Sequence, residues 1–320
     1  MRLHPKAAPF PCLQRNRSTD AGAVRRTYNA CYMQPRYILY RYGASFCVTF
    51  IMLADAMLQN LIRDSAVQLF GLATRLGVHR LPMFDRLFLV FYAGYKRHFE
   101  AGPIERLRAF IPDGSVVIDV GANVGFFSVR FAEWVGAGGK VIAIEPEEQN
   151  YNSLVAALKR AGLLGRVEPL KAVAAAEAGM ARLELNPLHP ADHKLSRDGA
   201  GQPVTAVTLD ALVQGKGPSR PALVKIDVQG AEMLVLRGMM DILDIAGPAL
   251  FIELSELGLE KFDTSVVAIL DLLEGKGYEP HWLTQAGHKA ANRPEILAGT
   301  AGAEYVDVLF LKTPQSATAN

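Results

Sequence analysis

Cysteine is nearly absent from this chain. Its 320 residues contain three, Cys12, Cys31 and Cys47, all among the first 51 positions. The remainder therefore has no disulfide framework, no CxxC metal spacing and no cysteine nucleophile. A reducing cytoplasm is the expected compartment. Long apolar runs are missing too. The longest uncharged one, residues 42–54, lies between Arg41 and Asp55 and has 13 residues. A bilayer span takes roughly 20, so a buried helix is expected there and no transmembrane segment. The run also lies far from the N-terminus for a signal-peptide core. Charge of one sign is not in excess: 34 Lys and Arg face 32 Asp and Glu, for a net +2. That total demands neither a nucleic-acid nor a membrane partner. There is no internal repeat and no low-complexity tract.

What is present is core-forming material. Half of the residues are hydrophobic and 21% are charged, a balance that fits a folded domain with a real core. The charge is unevenly spread. Residues 1–36 carry Arg2, Lys6, Arg15, Arg17, Arg25, Arg26 and Arg36 against Asp20, with four prolines and no apolar period. This reads as a basic, disordered leader over residues 1–51. A targeting peptide and a patch for anionic partners are competing readings. Met52 opens a patterned stretch, so the leader need not belong to the natural product. Residues 52–111 show helical apolar spacing, as at Leu58, Leu61 and Ile62, and are expected to form a helical cap.

At Pro112-Asp113-Gly114 the period changes. Residues 115–120 form a short β-branched run, followed by Gly121-Ala122-Asn123-Val124-Gly125 and a helical pattern marked by Phe127, Phe131 and Trp134. Residues 140–145 predict a second strand stopped by Pro146. A helix closed by Gly162 and a third strand over 167–173 come next. Residues 181–213 break the rhythm with two alternating strands and a Pro/Gly-rich loop. A strand over 222–227, a helix over 232–243, a strand over 249–254 and a helix over 265–274 restore it. Residues 278–283 and 306–311 predict a final antiparallel pair joined by a polar loop. Apolar strands alternating with helices indicate a parallel sheet covered on both faces. The expected domain is 112–313, with a tail at 314–320.

A ligand of a parallel α/β sheet sits beyond the strand ends at the switch point. Gly121, Ala122, Asn123, Gly125 and Phe126 form the first strand-to-helix turn. Its glycines permit close approach, and the following helix offers free amides. Glu145, before Pro146, ends the second strand, where a carboxylate accepts hydrogen bonds from ribose hydroxyls. Ala172, after the third strand, lies on the same rim. A dinucleotide loop GxGxxG would need glycine at positions 123 and 126, where Asn123 and Phe126 stand. Asp119 would repel a diphosphate but hydrogen-bond an ammonium group. These features favour S-adenosylmethionine over NAD.

Three blocks in order, residues 117–127, 141–146 and 224–232, resemble the FkbM-type methyltransferases. The resemblance runs from about Tyr92 to Leu311. It implies a Rossmann-like class I methyltransferase fold, α/β, with a seven-stranded, mostly parallel sheet whose last strand is antiparallel. It further implies methyl transfer to oxygen on a sugar, glycan or secondary-metabolite hydroxyl. Gln229 departs from the pattern, since many relatives carry glutamate there.

Aliphatic hydroxyls need their proton removed as they attack. Asp227, at the end of the fourth strand, is the first candidate base, with a helix cap as the competing reading. Lys225, two residues earlier, shares its strand face and is expected to pair with it. His193 is the runner-up base, on a loop that reads as a lid. Lys96, Asp192, Glu232 and Glu253 are candidate substrate contacts. Glu232 also fits a helix first turn. Asp227 and Glu253 together are a weak divalent-cation set, and no metal is expected. A nucleic-acid methyltransferase is the alternative. Ile226-Asp227-Val228-Gln229 is unlike the Asn/Asp-Pro-Pro-aromatic block of enzymes that methylate base amino groups, so no nucleic-acid partner is expected. A cofactor-binding module without turnover is a third reading. Nothing in the sequence indicates an oligomeric state.

Overall fold

The computed structural model describes residues 101–184, 194–196, 199–214, 220–301 and 305–313. They belong to the second of two units into which the chain divides, Ile62–Asn320. The leader, its cysteines, the apolar run at 42–54, most of the expected cap (52–100) and the tail lie outside the described residues. Among the described residues no helix is long and apolar enough to cross a membrane.

Helix α1 (Ala101–Ile104) runs into a 3-10 turn, Glu105–Phe110. The main sheet then begins with β1 (Val116–Val120), helix α2 (Phe126–Trp134), β2 (Lys140–Ile144), helix α3 (Glu148–Ala161) and β3 (Val167–Leu170). A second sheet takes β4 (Val173–Ala174), β5 (Gly179–Glu184), β6 (Lys194–Leu195) and β7 (Gln202–Val207). Helix α4 (Leu209–Gln214) returns the chain to β8 (Pro221–Ile226). Then follow α5 (Glu232–Arg237), β9 (Ala249–Leu254), α6 (Glu256–Glu260), α7 (Val266–Gly275), β10 (Tyr278–Thr284), β11 (Gly287–Ala290), α8 (Arg293–Gly299) and β12 (Val306–Lys312).

The main sheet has the order β11-β10-β12-β9-β8-β1-β2-β3. Strands β3, β2, β1, β8 and β9 run parallel to one another, and β12 runs antiparallel to both β9 and β10. This is the expected seven-stranded sheet with its last strand reversed. Hairpin strand β11 adds an eighth at one edge. The polar loop predicted between the last two strands holds that strand and α8.

Strand alternation sorts side chains to two faces. Ile118, Val120, Val224 and Ile226 join one core, while Val117, Val141, Leu223 and Phe251 join another with Phe127 and Phe131 of α2. Because both faces are covered, the strands read as continuous apolar runs. Each fully buried Leu, Ile or Phe contributes on the order of 1.5–3 kcal/mol.

Two predicted elements divide. Residues 167–173 are split between the two sheets at Lys171. The helix predicted over 232–243 stops at Gly238, where an added Cβ would lie 2.0 Å from the Ala175 carbonyl oxygen. The second sheet thus packs against the bare backbone there, and a π-helical turn, Ile242–Ala246, follows.

Candidate active site

Strand order reverses direction between β1 and β8: the chain moves from β1 to β2 and β3, then returns to β8 on the other side of β1. The loops leaving these two strands therefore diverge, and a crevice opens between them.

The first loop folds tightly because its residues can take left-handed backbone. Gly121, Asn123 and Gly125 have φ of 74°, 49° and 93°. The amides of Gly121 and Ala122 both donate to the Ile144 carbonyl at 3.0 Å. A Cβ on Gly121 would lie 1.9 Å from the Asp227 carbonyl oxygen, and one on Gly125 would lie 2.8 Å from Leu154 Cδ1. The space these glycines leave on the Cβ side is filled by the protein's own second loop and by α3.

Glu145 closes the loop from the side. Its Oε2 accepts from the Asn123 amide at 2.8 Å and its Oε1 from the Glu147 amide at 3.0 Å. Burial pushes its carboxyl up to about 7, and these two amides pull against the rise. The Asn150 side chain also bonds to it, so the carboxylate is anchored both to the loop and to α3. Pro146 is half-buried beside it, and Ala122 and Ala172 are buried. The Phe126 ring is taken by the Arg130 guanidinium, 3.9 Å from its centroid.

Below the crevice lies a line of charge. Lys225 and Asp119 are register partners on adjacent strands. The Lys225 ammonium sits 3.6 Å from Asp119 Oδ1 and 3.2 Å from Asp227 Oδ2, and donates to the Gly121 carbonyl at 2.9 Å. It also lies 5.1 Å over the Phe127 ring. Asp119 is wholly buried and accepts from Ser128 Oγ at 2.6 Å. Burial raises its carboxyl above the usual range, with Lys225 opposing. Asp119, expected to meet a cofactor ammonium, stands here beside the chain's own ammonium.

The predicted pairing of Lys225 with Asp227 is present, and Glu253 joins them. Gln229 Nε2 donates to Asp227 Oδ1 at 3.2 Å and to Glu253 Oε1 at 3.0 Å. Asp307 on β12 stands opposite Glu253 in register. Lys225, Asp227, Glu253 and Asp307 line a cavity of about 220 Å³ whose walls include Ile104, Phe127, Phe251 and Tyr305.

Glu232 is elsewhere. Its Oε1 accepts from the amides of Gly230 at 3.0 Å and Val228 at 3.3 Å, and the side chain is buried. Burial pushes its carboxyl to about 7, the Gly230 amide opposes, and the Asp227 charge adds to the rise. Glu232 thus anchors the second loop at the start of α5, as its place in a helix first turn suggested. Lys96, Asp192 and His193 lie outside the described residues. Among the described residues no group of three or more His, Cys, Asp or Glu is placed to hold a metal ion.

Sequence reasoning missed Asp307, Tyr305 and Ser128. Asp307 alternates with Leu309 along β12, but its meeting with Glu253 depends on an antiparallel register that no spacing encodes. Ser128 sits two residues into a helix whose start was known, so its reach back to Asp119 was a findable signal.

A doubly wound sheet, a glycine turn at the switch point and an acid ending β2 define the class: a Rossmann-like methyltransferase. The profile of the methyltransferase FkbM domain matches residues 119–280, just over half of the chain, and the chain belongs to this family of S-adenosylmethionine-dependent methyltransferases. Hexuronic acid methyltransferase AglP of Haloferax volcanii is 30% identical over 132 residues, covering 41% of this chain and 52% of that protein. The chain thus spans about half the length of the curated relative it matches. Among solved structures, methyltransferase FkbM from Methylobacillus flagellatus KT is 17% identical, with 78% of this chain and 60% of that one covered and a TM-score of 0.39. The O-methyltransferase TomG from Streptomyces achromogenes is 12% identical, with 67% and 80% covered and a TM-score of 0.38.

Proposed function

We propose that the protein transfers a methyl group from S-adenosylmethionine to a hydroxyl of a sugar, glycan or secondary metabolite, within a catalytic domain spanning 112–313. The observation that carries this reading is Asp227. It lies on the rim of the cavity, beside the first loop, with its carboxylate held between Lys225 and Gln229. The sugar acceptor is supported by the name of the Haloferax volcanii relative. Cavity walls that mix aromatic rings with carboxylates suit a ring carrying hydroxyl groups.

Bound S-adenosylmethionine supplies a methyl group already activated on a sulfonium. Glu145 binds the ribose hydroxyls, and the Gly121–Gly125 turn shapes the adjoining wall. Asp227 would accept the acceptor's hydroxyl proton as that oxygen takes the methyl group, with S-adenosylhomocysteine as the leaving group. The products are the methyl ether and S-adenosylhomocysteine. The adjacent Lys225 ammonium favours the ionised, proton-accepting form of Asp227. Holding the acceptor oxygen in line with the methyl carbon would be the larger part of the rate.

The test is transfer of a labelled methyl group into extracts of the source organism, with mass identification of the product. Asp227→Asn at saturating cofactor is expected to lower turnover by roughly 10²–10⁴-fold while leaving S-adenosylhomocysteine affinity in place. Unchanged turnover would remove Asp227 from the chemistry.

A further inference from the structure

Three carboxylates face the cavity from adjacent elements: Asp227, Glu253 and Asp307. Glu253 and Asp307 stand directly opposite across two strands, an arrangement that like charges resist. The Lys225 ammonium is already shared among Asp119, Asp227 and the Gly121 carbonyl. The group inserted between Asp227 and Glu253 is the amide of Gln229, 3.2 Å from one and 3.0 Å from the other. An amide nitrogen has two hydrogens, one for each carboxylate.

The backbone is bent to put it there. Gln229 has φ of 56°, a conformation that residues with a side chain rarely adopt. Its neighbours fix that bend. A Cβ on Gly230 would lie 2.3 Å from the Gly258 carbonyl oxygen, and Glu232 holds the amides on both sides of Gln229. Strain of this kind persists where the surroundings over-determine it, and it clusters at functional sites.

We propose that Gln229 is a positioning residue whose amide clamps Asp227 and Glu253 as a pair, taking the place between them that a divalent cation would otherwise fill. The clamp fixes the direction in which both carboxylates face the acceptor, and in this it rests on the methyl-transfer reading above. A glutamate at this position has no hydrogen to donate. It would add a third oxygen ligand beside the other two, and hard divalent cations bind such sets.

The experiment uses the full chain with Mn²⁺ as probe, followed by electron paramagnetic resonance, and calorimetry with S-adenosylhomocysteine in parallel. Gln229→Glu is expected to gain one saturable Mn²⁺ site, at least about tenfold tighter than any in the wild type. Adding Glu253→Gln should abolish it. Wild-type protein that binds Mn²⁺ as tightly as the variant, or a variant that gains nothing, overturns the clamp. Should Gln229→Glu fail to fold, Gln229→Ala decides: a gain in Mn²⁺ affinity supports the clamp and no change overturns it. Loss of S-adenosylhomocysteine binding by the wild type would strike the methyl-transfer reading, whereas the Mn²⁺ result strikes only the clamp.

Discussion

The two loops at the switch point are built from the same parts. Each has a glycine into which no Cβ fits, Gly121 against Asp227 and Gly230 against Gly258. Each has a non-glycine residue in left-handed conformation, Asn123 and Gln229. Each is gathered by a buried glutamate that collects two backbone amides and whose carboxyl is pushed to about 7, Glu145 and Glu232. The difference is where the glutamate comes from. Glu145 ends the neighbouring strand and sits on the rim of the crevice, whereas Glu232 starts the loop's own helix and turns inward. We propose that this device serves a ligand in the first loop and the fold in the second.

Lys225 ties the loops together, and its removal should have the largest effect. Lys225→Met strands the buried Asp119 charge, a loss of about 3–5 kcal/mol, read as a fall of about 10 °C in Tm. Replacing Asp119 with Leu in the same chain should recover part of it. The glycines come next. Gly121→Ala and Gly230→Ala should each cost roughly 2–4 kcal/mol, from strained φ and backbone overlap. Only Gly121→Ala should also weaken S-adenosylhomocysteine binding more than about tenfold, as measured by calorimetry; equal losses in both would erase the functional distinction between the loops.

The glutamates sharpen it further. Glu145→Gln turns one amide donor against another and should lower cofactor affinity roughly 10–100-fold. Glu232→Gln should leave that affinity within about twofold. The smallest effect is on pH dependence. Both carboxyls hold a proton more tightly in the folded chain, near 7, than at the ordinary 4.5. Their contribution to stability is complete at low pH and is lost as pH rises from about 4.5 through 7. Glu232→Gln should remove about half of the resulting fall in Tm between pH 5 and 8. An unaltered slope in thermal melts would show that Glu232 is not a source.

Much of the site was legible because it is local. Gly121, Asn123 and Gly125 lie within five residues, and Glu145 ends a strand whose limits the apolar run marks. Lys225 and Asp227 share a face because a strand repeats every two residues. The surroundings of Asp119 were hidden for the opposite reason. Its acidity is visible in sequence, but its partner Lys225 is more than a hundred residues away and is shared with Asp227. Gln229 stood out only as a departure; its bond to Glu253 needs two loops folded side by side.

The sequence by itself determined the layering of strands and helices, the first loop and the acid beside it, since periodicity and turn chemistry act over a few residues. Tertiary structure alone decided which charges face the cavity and which neutralise one another. That outcome depends on strand order and register, and on which side chains win the limited space at the switch point.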